Sequence, residues 1–279
     1  MNFVYIRNMG GVGNQLFIYN FGKLISSKTN YKLLVDNTTG FLKDKYGRIP
    51  KLDLIFKSKP NEASVLLKLI FLVVRKLPIR FLNFLKIDLI IELDTKTIVN
   101  TDQYLNNKNK FLFIEGYFQS YQYVLPNKNY LVTSSRLDFD FNNFYNEYFS
   151  QIKSTNSVCL HVRRDAYDNY LSNSYYENAI KLICESSINP VFFVFSDSLD
   201  WCRENIKAEK IVFIDVKKNL DDIQEFFLMS KCKNFIVANS SFSWWPAFLA
   251  LNPSKIVIAP INNQIGVKDK FFPENWVKI

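Results

Sequence analysis

The stretch Ser157-Val158-Cys159-Leu160-His161-Val162, followed directly by Arg163 and Arg164, opens a regular alternation that continues to the end of the chain. After it come a helical pattern over SYYENAIKLICESS, the apolar run PVFFVFSD at 190–197, a short helix around Trp201, KIVFID at 210–215 and the helix LDDIQEFFLMSKC. NFIVAN at 234–239, a Ser-started helix SFSWWPAFLAL and KIVIAP at 255–260 close the series. Strands that read as unbroken Val, Ile and Phe are buried on both faces, and the intervening helices supply the cover. A parallel, Rossmann-like sheet is expected. Ser174 and Glu177 have the spacing of a capping box ahead of Ala179, Ile180 and Ile183.

The first half starts the same way, with FVYIRN at 3–8, the loop Gly10-Gly11-Val12-Gly13-Asn14-Gln15, the helical LFIYNFGKLISS and then YKLLVD at 31–36. The fold class is therefore α/β, with two Rossmann-like domains facing one another across a cleft. Residues 1–150 form the expected first domain and 151–279 the second, with the crossover between Asp138 and Thr155.

With 48% hydrophobic and 22% charged residues the chain is globular rather than disordered. A formal charge of +9 favours anionic partners: sugar nucleotides, anionic lipid headgroups or nucleic acid. Nucleic acid is set aside, because no basic-aromatic recognition motif is present. The four cysteines form no C-x-x-C pair and the chain has one histidine, so neither a zinc site nor a disulfide framework is expected. The start Met1-Asn2-Phe3-Val4-Tyr5-Ile6-Arg7 lacks the apolar core of a signal peptide, which points to the cytoplasmic side. Val65–Ile91 is the most apolar stretch, yet Lys68, Arg75, Lys76, Arg80 and Lys86 interrupt it and Pro78 splits it, so it does not span a bilayer. A pair of core-covering helices is expected there, and peripheral contact with an anionic membrane surface is the alternative.

Ligands of open α/β sheets bind outside the carboxyl ends of the strands, where several polar clusters fall. His161, Arg163 and Arg164 leave the first strand of the second half, and a paired guanidinium there suits a diphosphate; a surface Arg pair bridging to carboxylates is the plainer reading. Asp197 ends the next strand, either accepting from a ligand hydroxyl or capping the Trp201 helix. Asn239, Ser240, Ser241, Phe242 and Ser243 start a helix with three hydroxyls and an amide, more than capping alone requires. Gly11, Gly13, Asn14 and Gln15 bring backbone N–H groups to a helix start that favours anions. Asp36 stands about twenty residues past this loop, where a dinucleotide-binding oxidoreductase carries its ribose-binding acid, but Leu16 occupies the place of the third glycine.

The runs GGVGNQLFIYNFG at 10–22, GYFQS at 116–120, HVRR at 161–164, FFVFSD at 192–197 and NSSFSWWPA at 239–247, in this order, resemble the bacterial α-1,2-fucosyltransferases of glycosyltransferase family eleven. The similarity reaches the terminal Pro273-Glu274-Asn275-Trp276. It implies a GT-B architecture, GDP-L-fucose as donor, an oligosaccharide or lipid-linked glycan of galactose type as acceptor, inversion at the anomeric carbon and no cofactor or metal. It further implies that Arg163 and the Asn239–Ser243 helix start stabilise the β-phosphate, that Arg164 orients the site through a carboxylate and that His161 hydrogen-bonds the donor. One departure stands out. The family pattern H-x-R-R-G-D-Y here reads His161-Val162-Arg163-Arg164-Asp165-Ala166-Tyr167, so that Asp165 or Asp168 replaces the displaced acid, or the donor is another GDP-linked deoxysugar. Asp36, Asp165 and Asp168 are the candidate bases, with Arg163, Asp165 and Asp168 as the catalytic set. Asp138-Phe139-Asp140 leaves a metal-dependent GT-A transferase as a rival, since two Asp at that spacing share one face of a strand. A non-catalytic sugar- or lipid-binding module is the rival from outside enzymology.

Overall fold

The computed structural model describes residues 2–92, 98–104, 109–164, 170–215, 221–262 and 265–279. The chain divides into two compact units, Met1–Ser135 with Ile265–Phe271 and Arg136–Gln264 with Phe272–Ile279.

The first unit is built on four parallel strands: β1 (Phe3–Arg7), β2 (Lys32–Asp36), β3 (Ile87–Ile91) and β4 (Phe111–Glu115), in the order β2-β1-β4-β3. Side chains alternate between faces along a strand, so the consecutive Tyr5 and Ile6 serve opposite layers. On the Ile6 side lies the helix Val12–Thr29; its Gly22 comes so close that an added Cβ would sit 2.5 Å from the Ile6 side chain. Toward the other layer Tyr5 packs on Phe71 and Phe113, with ring centroids 5.0 and 5.1 Å away, beneath the helix Val65–Val74. The expected helix pair is thus present as Val65–Val74 and Ile79–Leu85, while the tail of that apolar stretch is strand β3. Its Ile-rich sequence suits a strand, and parallel pairing with β4 satisfies its backbone.

The second unit holds a six-stranded parallel sheet: β5 (Asn156–Val162), β6 (Pro190–Ser196), β7 (Ile211–Phe213), β8 (Asn234–Ile236), β9 (Val257–Ala259) and β10 (Val277–Lys278), ordered β10-β9-β8-β5-β6-β7. Both sheets match the Rossmann-like expectation. The helix Asn173–Ser186 presses Tyr175, Tyr176, Ala179 and Ile183 onto this sheet, and the Tyr175 hydroxyl donates to the Val237 carbonyl at 2.7 Å. Its cap is Ser172, whose side chain accepts from Tyr175 N–H, so the capping role expected of Ser174 falls two residues earlier.

The unit boundary lies at Ser135–Arg136, ahead of the expected 150. The cause is the helix Asn143–Ser154, which buries Tyr145 and Ile152 and is tied to the second unit by a 2.8 Å bond from Asn142 N–H to Gln224 Oε1. Ile265–Phe271, expected in the second domain, belongs to the first unit. There Val267 N–H donates to Gln119 O at 3.0 Å, Tyr121 N–H donates to Lys270 O at 2.9 Å and Phe271 packs on Phe17.

That return depends on Gly266, which has a φ of +70° and no room for a Cβ, since one would lie 2.6 Å from the Gln119 carbonyl oxygen. Gly266→Ala is expected to cost about 1–3 kcal/mol, read as a lower urea midpoint. Gly11→Ala is the control: Gly11 has a φ of −73° and nothing within 4 Å of an added Cβ, so its midpoint should not move.

Candidate active site

In the second unit β5 is the first strand, the chain runs outward through β6 and β7, and then it returns to the other side of β5 as β8. Strand order therefore reverses between β5 and β8, and the carboxyl ends of those two strands flank the crevice in which α/β sheets bind ligands. His161 lies in β5, Arg163 and Arg164 follow it, Asp197 follows β6, and Asn239–Ser243 follow β8.

Register explains how the charged groups meet. The last β5–β6 pair is Val162 with Ser196, so one step further places Arg163 beside Asp197. Arg163 Nε lies 2.9 Å from Asp197 Oδ2, while the other oxygen of that carboxylate accepts the Arg164 backbone N–H at 2.9 Å. A single carboxylate thus fixes both the guanidinium of Arg163 and the path of the chain after it. Asp197 bonds the side chain of Arg163 and only the backbone of Arg164. The Arg164 guanidinium lies over Trp201 and Tyr170, 4.0 and 4.5 Å from the ring centroids, held by cation–π attraction. Asp197 does not cap the following helix, whose N-cap is Ser198.

His161 is 2% exposed, and its ring centroid lies 6.0 Å from that of Phe242. Burial, reinforced by the charge of Arg163, lowers its pKa to about 3, so the imidazole is neutral at physiological pH. Its Nδ1 has no hydrogen-bond partner among the described residues. Asn239 Oδ1 and Ser243 Oγ are in the same condition. Burying a polar atom unpaired costs about 1–3 kcal/mol, and these three are carried by β5, the segment that follows β8 and the helix after it. Ser240 is the N-cap of the helix Ser241–Leu249, accepting from Phe242 N–H at 3.2 Å, and the positive end of that helix faces the same strand ends. Trp244 and Trp245 are fully buried, with Trp244 stacked on Phe248 at 4.9 Å; they are core residues rather than ligand contacts.

Sequence reading missed Glu225. It sits in the helix Asp222–Met229, whose Phe226 ring is 6.0 Å from that of Phe242. Removal from water, and next the Asp222 carboxylate, push its pKa up to about 8, with the nearby Arg163 pulling the other way. Inside an amphipathic helical run a lone Glu carries no local signature, so only the packing of two helices reveals it.

The marked residues of the first unit gather at its own switch point, between β1 and β4. Gly10 takes a φ of +77° and Gly11 is the uncapped N-cap of the helix Val12–Thr29. Gln15 is buried, and its side chain is spent on the loop: Nε2 donates to Gly10 O and Ile49 O, each at 2.9 Å, and Oε1 accepts from Lys51 N–H at 2.8 Å. Asn14 Oδ1 accepts from Gln119 Nε2 at 2.7 Å, which joins the glycine loop to the GYFQS run after β4. Asp36 is fully buried and saturated. It accepts from the Tyr5 hydroxyl at 2.5 Å, from Thr38 and Thr39 N–H at 2.8 and 3.0 Å, and from the Thr39 hydroxyl. A carboxylate so engaged is neither a general base nor a ribose ligand, which removes Asp36 from both expected roles. Asp165 and Asp168 lie outside the described residues. Asp138 and Asp140 are exposed and belong to no strand, so the shared strand face on which the GT-A reading rests is missing.

The model of glycosyl transferase family 11 matches residues 82–279. An α-1,2-colitosyltransferase of Escherichia coli is 30% identical over all of this chain and 99% of its own length. The O-antigen biosynthesis glycosyltransferase WbnK of Escherichia coli is 27% identical over 97% of this chain and 98% of its own. Among solved structures, the R284K mutant of Arabidopsis thaliana FUT1 in complex with GDP shares the fold, with a TM-score of 0.55 and 12% identity over 98% of this chain and 74% of that one.

Two pH measurements check the electrostatics. Because His161 is the only histidine, its ring proton resonance should stay unshifted in NMR spectra between about pH 5 and 8, where an ordinary imidazole titrates. Folding holds Glu225 protonated up to about pH 8 while the unfolded chain ionises near the ordinary value of 4.5, so its contribution to stability is whole below 4.5 and fades as pH rises. Glu225→Gln should therefore melt a few degrees above the parent protein at the alkaline end of this window and level with it at the acid end.

Proposed function

Because this chain belongs to glycosyl transferase family 11, we propose that it transfers L-fucose from GDP-L-fucose to the 2-hydroxyl of a galactose-type acceptor, inverting the anomeric carbon to give an α-1,2 linkage. The observation that carries the reading is the cluster at the β5–β8 switch point. There a guanidinium is held by a carboxylate, with three buried polar atoms that lack partners among the described residues, in front of a helix N-terminus. A nucleoside diphosphate offers what that cluster lacks: hydrogen-bonding groups for Nδ1 of His161, Oδ1 of Asn239 and Oγ of Ser243, and negative charge for Arg163.

The barrier in such a transfer is departure of GDP from an oxocarbenium-like centre. Charge then grows on the β-phosphate oxygens, where a fixed cation and a helix N-terminus lower the barrier without needing to reorganise. Arg163 fills this role, and the Asp197 carboxylate keeps its fork in place. Neutral His161 offers one ring nitrogen as donor and the other as acceptor, so it binds the donor instead of exchanging protons. Arg164 is laid flat on Trp201 and Tyr170, which fixes its side chain beside the site. Gly11 and Gly13 allow close backbone approach at the start of the first helix, with Asn14 and Gln15 shaping the loop. Asp165 and Asp168 are the candidates to take the acceptor proton. The guanidinium and helix dipole supply the positive charge, so no metal enters this scheme. A lipid-linked glycan at the cytoplasmic membrane face is the acceptor class, in line with the O-antigen role in the name of the WbnK relative.

The α-1,2-colitosyltransferase likeness and the shift of acid from position 166 to 165 favour a second reading, in which the donor sugar is colitose. Colitose lacks the 3-hydroxyl of fucose. A site built to bond that hydroxyl discriminates strongly against a sugar without it, whereas an apolar site tolerates both.

The test is incubation with both GDP-sugars and a panel of β-galactosides, with linkage analysis of the product. GDP should raise the melting temperature and NAD should not. Arg163→Ala should lower kcat on the order of 10²-fold or more, as for loss of a charge-stabilising donor; a near-parental rate would overturn the assignment.

A further inference from the structure

We propose that the helix pair Val65–Val74 and Ile79–Leu85 docks the first unit onto an anionic bilayer surface. The helix Val65–Val74, VLLKLIFLVV, is apolar on every side but one. Its inner face, Phe71 and Val74 with Leu67, is packed on Tyr5 and Phe113. Val65, Leu66, Leu69 and Val73 lie on the opposite side, and Val65 is 72% exposed. In the helix that follows only Leu82 is buried, while Ile79 and Phe84 are 76% and 83% exposed and Phe81 is open as well. Single exposed apolar side chains are ordinary, but a helix that is apolar all round is normally covered, and a contiguous patch marks an interaction surface.

The helix is not free to turn this face inward. Ser64 caps its start, accepting from Leu67 N–H, and Lys68 reaches Glu62 at 2.5 Å. Just past its end, Arg75 Nη2 bonds Glu115 Oε1 at 2.9 Å, and the same oxygen takes Arg7 Nη1 at 2.5 Å, which fastens the helix to the carboxyl ends of β1 and β4.

Charge selects the partner. Lys76, Arg80 and Lys86 are exposed among these apolar side chains and have no ion-pair partner among the described residues. No acidic residue occurs between Glu62 and Asp88. Apolar side chains interleaved with unpaired cations fit the boundary of acyl chains and anionic headgroups, where each cation adds to the attraction. A second copy of this chain fits poorly, because a two-fold contact would bring cations against cations with no acid to answer them. Among the described residues no helix is long and apolar enough to cross a membrane, so the pair would lie in the interface plane.

Sedimentation of the full chain with vesicles of phosphatidylcholine, or of phosphatidylcholine mixed equally with phosphatidylglycerol, tests this without reference to any sugar transferred. Binding is expected to the mixed vesicles alone, and to weaken with salt. Replacing Lys76, Arg80 and Lys86 by Gln should lower partitioning about fivefold for each cation removed. Phe84→Ser and Leu69→Ser should release the protein while leaving its unfolding midpoint in place, since neither side chain is buried. Equal binding to both vesicle types, no binding to either, or a solution dimer that Phe84→Ser converts to monomer would overturn the proposal, the last by showing that a second copy covers this face.

Discussion

The second unit's site depends on one carboxylate. Asp197 sits one residue past the end of β6, and parallel pairing with β5 carries it alongside Arg163, where one oxygen takes the guanidinium and the other the backbone N–H of Arg164. Holding both ends of this short turn keeps a permanent cation at the reversal point of the sheet and turns the next side chain onto Trp201 and Tyr170. Arg163 is pinned yet about a third exposed, so it is both oriented and accessible, which an electrostatic role in catalysis requires. Lysine would not serve as well, because its ammonium lacks the planar fork that can bond a carboxylate on one edge and a phosphate on another.

Around this cation the protein carries groups that cost it stability. His161 is buried and neutral, its Nδ1, Asn239 Oδ1 and Ser243 Oγ lack partners among the described residues, and the carboxyl pKa of half-buried Glu225 is pushed up to about 8. At neutral pH none of these helps the free protein fold. His161, Asn239 and Ser243 lie at or just past the carboxyl ends of β5 and β8, beside a core of aromatic packing from Trp244, Phe248 and Trp276. Family 11 membership supplies the reaction class.

In the first unit the same fold logic produces a different result. Its glycine loop also lies at a switch point, where Gln15 ties the loop to Ile49 and Lys51, Asn14 pairs with Gln119 and Asp36 accepts four hydrogen bonds, while Asn8 Oδ1 and Glu115 Oε2 are buried without a partner among the described residues. Burial and the Asp36 contact push the Tyr5 hydroxyl far above its ordinary pKa, so it remains a donor and keeps that carboxylate engaged. What the loop leaves open is backbone, at Gly11 above all.

The parallel sheets were legible because strands buried on both faces must be apolar without interruption, and β1, β2, β5 and β6 fall where VYIR, KLLVD, SVCLHV and PVFFVFS predict them. The family was legible because NSSFSWW and HVRR concentrate costly residues at fixed places. Strand β3 was not, since Ile87–Ile91 ends a long apolar stretch whose period fits helix as well as strand. Nor was the cap at Ser172, where three small polar residues compete within one turn. Sequence alone determined the order of elements in the second half, the polar clusters at their ends and the net positive charge, because these follow from local periodicity and composition. Only tertiary structure decided which of those polar groups were consumed. Asp36 and Asp197 read alike as acids ending second strands. Tyr5 and the neighbouring Thr39 saturate the first, while Arg163 meets the second by register, and Tyr5 and Arg163 are distant in the chain and brought there by the fold.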